Sequence, residues 1–346
     1  MATTLAARLS PHALGRRLPA AALAWVTAYG ALRAYWAAGH RPHAMSPIGT
    51  DLVAFTGWAG AGLCGAAALV LALLASPRAD RLPRAARLAL AGAAWAAAAC
   101  LVASGAMLLL DAVGAVLPGL GLGFYPLGAL SRAAVVAAGA MTALSARAYT
   151  ARTRTGPACG ACARPAAAAG ALLRTPAWAY AAAYLAVAGC LTRIAAQAVV
   201  GFAESPLAAG ASAMLFEAGF VLGGCLLPLA LVHSFGRTWP RWVPGAAGRG
   251  VPRRLVLWPG AAISAGLVIY FGLMLLQMSW ERLHGRNPFP PDGGLALPEA
   301  FFWVAVPAYF AWGAGMAAAA RAYARRTRTP CPSCGPARPS PRPSSA

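Results

Sequence analysis

The chain has 346 residues, 60% of them hydrophobic and only 11% charged, with a mean hydropathy of +0.61. Such a composition excludes an ordinary soluble domain and indicates a membrane protein. The net charge of +21 raises nucleic acid as a partner, but the basic residues, all Arg, collect in short segments between long apolar runs. That placement excludes nucleic acid and points to anionic lipid at one membrane face.

A helix needs about 20 apolar residues to cross the hydrocarbon. In chain order, eight segments meet that length: 19–38, 52–75, 88–110, 127–146, 177–203, 209–235, 255–278 and 301–320. The expected fold is therefore all-α, a polytopic membrane helix bundle. The first run follows basic residues as a signal peptide would, but it is longer than the roughly 7–15 residues of such a region, and it has a counterpart later in the chain.

Arg8, Arg16 and Arg17 precede the first span, and Arg78, Arg81, Arg84 and Arg87 follow the second. Further groups follow the fourth, sixth and eighth spans, whereas the opposite side has only Arg41, Arg282 and Arg286. The bias predicts a multi-pass protein of the plasma membrane with both termini in the cytoplasm.

Two stretches of sequence repeat. GAMTALSARAY (139–149) matches GAGMAAAARAY (313–323), and each runs on through Arg-Thr-Arg-Thr to a Cys-X-X-Cys pair. GAMLL (105–109) parallels GLMLL (272–276), Cys64 parallels Cys225, and Arg33 parallels Arg193. These matches, in order, predict a tandem duplication of two parallel four-helix repeats. The expected organisation is an N-terminal tail (1–17), a first repeat with its Cys tail (18–165), a second (166–335) and a disordered C-terminal tail (336–346).

Four of the eight Cys sit singly within spans and read as packing residues. The others form the pairs Cys159/Cys162 and Cys331/Cys334. A Cys-X-X-Cys turn aims two thiolates at one tetrahedral ion, so two turns make a four-cysteine structural zinc site clamping the repeats. Unliganded thiols are the alternative. Thiol redox chemistry is a weaker one, since the residues after Cys334 leave no room for a fold around the motif.

Charges inside spans are costly and point to function. Arg33, Arg132 and Arg193 share a depth with Asp111 and Glu217, and the likeliest pair is Arg193 with Glu217. One reading is a polar cavity open to the outside, where Arg residues hold an anion or a lipid head group and Glu217 couples or transfers a proton. The other is interhelical pairing, with Arg33 and Arg132 snorkelling outward. Gly219 and Gly223 form a small-X-X-X-small face that predicts close helix packing. His233 reads as interfacial, and Trp239, Arg241 and Trp242 as a lipid-interface anchor.

The loop TWPRWVPGAAGRGVPRR (238–254), with the Arg-rich ARAY tail ending in Cys-X-X-Cys, resembles uncharacterised multi-span integral membrane proteins of GC-rich actinobacteria. The resemblance implies the membrane architecture and supplies no activity. Function is thus expected to be transporter-like. Two alternatives stand: a membrane-embedded enzyme acting on lipid or isoprenoid with Glu217 or Asp111 as acid or base, and a structural or metal/thiol-sensing module. The sequence is compatible with a homo-oligomer.

Overall fold

In the computed structural model the residues described are 11–43, 45–46, 57–116, 124–153, 174–201, 211–289 and 297–328. Among them the regular structure is helical: α1 (Pro11–Tyr35), α2 (Gly57–Ala75), α3 (Arg84–Ser104), α4 (Leu108–Val116), α5 (Pro126–Arg152), α6 (Ala177–Val200), α7 (Ala211–Val232), α8 (Arg253–Leu283) and α9 (Glu299–Arg326). Within hydrocarbon a helix satisfies its own backbone groups, which is why Ala- and Leu-rich runs fold this way. Pro83, Pro126, Pro176, Pro252 and Pro298 stand at the starts of α3, α5, α6, α8 and α9, where a missing N–H leaves no bond unmade.

Six helical segments are long and apolar enough to cross a membrane: α2, α3 continued by α4, α5, α6, α8 and α9. The expected spans 19–38 and 209–235 also fold as helices, α1 and α7, outside that set. Arg17 and Arg33 dilute the apolar character of α1, and the apolar part of α7 is the shorter stretch Glu217–Val232.

The expected continuous third span is broken. Gly105 ends α3 with its N–H bonded to the Val102 carbonyl at 3.1 Å, and α4 restarts at Leu108. A Cβ at Gly105 would lie 2.5 Å from Val136 Cγ2, so the bare glycine surface seats the break against α5.

The helices pack as two groups. The first core joins α1, α2, α3 and α5 through buried Val26, Leu71, Leu101, Ala138 and Tyr149. The second joins α6 to α9 through Ala183, Leu231, Leu267, Trp312, Met316 and Tyr323. The groups meet where α3 and α4 lie against α8. Backbones approach closely at Gly189 and Gly315, where a Cβ would stand 2.5 Å from the Ala308 carbonyl and 2.4 Å from the Ala182 carbonyl. At Gly219 and Gly223, expected to do this, an added Cβ would meet nothing within 4 Å among the described residues; the contact belongs to Gly224, against Cys190 Sγ.

One clasp occurs twice, in the same register of the matched phrases. Tyr149 donates its hydroxyl to the Ala79 carbonyl at 2.8 Å, and Arg152 Nη2 donates to the Leu74 carbonyl at 2.8 Å. In the second group Tyr323 donates to the Gly236 carbonyl at 2.9 Å and Arg326 Nη2 to the Leu231 carbonyl at 2.8 Å. Each clasp ties the last helix of its group to the end of the second helix and the tight 3₁₀ turn that follows. The last four carbonyls of a helix lack intrahelical donors, and the Arg and Tyr side chains supply them.

Candidate functional site

Opposite the clasp end, α1, α3 and α5 enclose a cavity of about 60 Å³ lined by Tyr29, Arg33, Arg41, Ser104, Ser131 and Arg132, among others. Helical spacing places Tyr29 beside Arg33 one turn on. Arg33 Nη1 donates to the Tyr29 hydroxyl at 3.2 Å, and that hydroxyl lies 3.0 Å from Ser131 Oγ. Arg132 is 6% exposed and Asp111 1%. Its Nη2 donates to Asp111 Oδ1 at 2.7 Å and to the Met45 carbonyl at 2.9 Å, and its Nε donates to Asp111 Oδ2. A buried charge needs a partner and further hydrogen bonds, and this fork-to-carboxylate pairing provides both.

Asp111 stands in α4, just past the helix break, and α4 packs there against α5. Gly128 is required as well. A Cβ there would lie 1.9 Å from the Met45 oxygen and 2.9 Å from Arg132 Nη2, so only glycine admits that carbonyl. Arg132, expected to snorkel if it were not functional, is instead held inside. Sequence reasoning missed Tyr29, Ser131 and Arg41. The i, i+4 spacing of Tyr29 and Arg33 and the adjacency of Ser131 to Arg132 were the signals available.

The second group holds the expected pair. Arg193 Nη1 donates to both Glu217 oxygens at 2.7 and 2.8 Å, joining α6 to α7. Phe220 and Tyr309 cover the guanidinium at 5.0 and 5.7 Å from their ring centroids, a cation–π arrangement strengthened by burial. Phe271 stacks on Tyr309 at 4.0 Å. Glu217 keeps 23% side-chain exposure against 3% for Arg193, so the pair is approachable from the carboxylate side. One turn on, buried Gln197 donates to the Gly201 carbonyl at 3.0 Å, while its Oε1 and the Nε of Arg193 are buried without a partner among the described residues. The structure keeps Arg193/Glu217 and Arg132/Asp111 in separate helix groups.

Trp239, Arg241 and Trp242 lie in a short hairpin-like loop. The Trp239 N–H meets the Arg249 carbonyl at 2.9 Å and the Val251 N–H the Arg237 carbonyl at 2.8 Å. Trp242 is 81% exposed, as an interfacial anchor requires. His233 is partly buried, 3.2 Å from the Tyr184 hydroxyl. Cys159, Cys162, Cys331 and Cys334 lie outside the described residues, as does the predicted disordered tail. Among the described residues no three His, Cys, Asp or Glu side chains converge as metal ligands.

Taken together, the apolar helices, the paired intramembrane charges and the exposed aromatic loop define a class, the multi-pass helical membrane proteins. No protein-family model matches the chain, and no curated protein or solved structure is significantly similar to it.

Proposed function

We propose that the protein is a transporter-like membrane protein that binds an anionic group in the Arg-lined cavity. The observation that carries this is the lining itself: Arg33, Arg41 and Arg132 share one small cavity with Tyr29 and Ser131. Guanidinium forks and hydroxyl donors suit the oxygens of a phosphate or carboxylate, and intramembrane charges of this kind mark substrate pathways. The Arg193/Glu217 pair is the coupling element in this reading, with Glu217 as the group that takes and releases a proton.

The chain in this reading is a plasma-membrane protein of eight spans in two parallel four-helix repeats, both termini cytoplasmic. The doubled clasp supports the duplication. So does the register of the matched phrases, which sets Asp111 and Arg132 of the first unit opposite Met278 and Val306 of the second. That apolar pair shares one buried cluster with Phe301 and Phe302, as an ion pair replaced by hydrocarbon would. The four tail cysteines hold one structural zinc ion, and the Trp239–Trp242 loop rests on anionic lipid.

The test is equilibrium binding of radiolabelled inorganic phosphate and of dihexanoyl phosphatidylglycerol to the purified protein, with flux of the bound anion in proteoliposomes. Saturable binding that is lost in Arg33→Gln at unchanged melting temperature is expected, and Glu217→Gln should stop flux while leaving binding. Saturable binding of neither probe, or binding undiminished in Arg33→Gln, refutes the assignment. Metal analysis should give one zinc per chain, absent from the Cys331→Ser, Cys334→Ser variant; zinc-free parent protein refutes the shared site.

A further inference from the structure

A second cavity lies apart from the Arg-lined one, on the seam between the two helix groups. It has a volume of about 600 Å³ and is lined by Ala99 and Ala103 of α3, by Ile269, Leu273 and Leu276 of α8, and by Phe310 of α9. Among the described residues the one hydroxyl on its wall, Ser279, donates to the Leu275 carbonyl at 2.8 Å, so these residues offer a ligand no free side-chain polar group. Every lining residue belongs to a segment long and apolar enough to cross a membrane, and the volume falls in the range of about 300–1,000 Å³ typical of ligand sites.

Among the described residues, α3 and α4 meet α8 across the seam, and one point of contact is Leu109 against Gly266, where a Cβ would stand 3.1 Å from Leu109 Cδ1. Helices in a bilayer are held together by close packing, because the surrounding lipid is as apolar as their side chains. The cleft is open to the surface of the helix bundle, and within hydrocarbon the molecules that reach it are the chains of the bilayer. Ala99 and Ala103 give α3 a low wall at the cleft, and Gly272 does the same on α8, where a Cβ would meet Phe310 at 3.2 Å.

We infer that this seam cleft is a binding site for an acyl chain of a membrane phospholipid, which packs between the two helix groups as part of their interface. The chain lies along α3 and α8 with its head group at the membrane surface, and no polar anchor is required of the cleft itself. The site is a retained lipid position, distinct from the annular lipid that any span meets.

The experiment is native mass spectrometry of the purified full-length protein after detergent exchange, for the parent and for the double variant Ala99→Phe, Ala103→Phe, which fills the cleft with protein. The parent should keep a phospholipid mass increment that the folded double variant loses. As a second measurement, a photoreactive side chain in place of Leu273, on the cleft and partly buried, should form a phospholipid adduct in the exchanged sample. The same side chain in place of Leu222, on the outer face of α7 and 58% exposed, should form none. A parent without retained lipid, an increment undiminished in the folded double variant, or equal adducts at both positions overturns the assignment. The adduct comparison decides the matter if the double variant fails to fold.

Discussion

Replacing Asp111 with Asn changes little in volume but removes the charge facing Arg132. The guanidinium then remains buried at 8% side-chain exposure with two charge-assisted bonds weakened and its bond to the Met45 carbonyl retained. Removing one partner of a buried ion pair typically costs about 3–5 kcal/mol. The retained carbonyl bond places this case near the lower end, at about 3 kcal/mol, or roughly a hundredfold in the unfolding equilibrium. The companion variant Asp111→Met, Arg132→Val copies the residues that stand in register in the second group. Exchanging a whole buried pair for packed apolar side chains is often neutral or stabilising, so it should unfold within about 1 kcal/mol of the parent. Reversible unfolding in mixed micelles, followed by tryptophan fluorescence, measures both. An Asp111→Asn loss below about 0.5 kcal/mol, or a double variant as unstable as the single one, refutes the view that the pair stabilises the fold through charge compensation.

Tyr149→Phe and Tyr323→Phe each leave one buried carbonyl without its donor and should each lose about 1–2 kcal/mol; thermal unfolding of the two single variants should give matching losses. Gly128→Ala drives a methyl into the Met45 carbonyl and should weaken phosphate binding as well as lower the melting temperature, which binding and unfolding measured on one sample will show. Gly189→Leu should destabilise by at least about 1–3 kcal/mol through overpacking against α9, whereas Gly219→Ala, facing open space, should change the midpoint by no more than about 0.5 kcal/mol.

Helical class and the positions of six membrane-length helical segments were legible because a period-free apolar run of membrane length has few other folds available. The Arg193/Glu217 pair was legible for a related reason: two opposite charges at one depth in neighbouring spans have few other partners. Asp111 and Arg132 were equally matched in depth, but their pairing joins α4 to α5 just past the break at Gly105, and the run 88–110 contains no proline to announce that break. Gly219 and Gly223 were misread because spacing shows that two small residues share a helix face and does not show which face meets a neighbour. Gly224, one residue on, is the one that does. The ARAY phrase was visible as a repeat, but its Tyr and the Arg three residues later reach carbonyls about 70 to 95 positions away, and no local pattern encodes that reach.

The seam has a mechanical consequence. Each helix group closes its own core and its own clasp, while among the described residues the two groups meet along α3, α4 and α8. A load that tilts one bundle against the other would therefore be taken up along this line before it reaches either core.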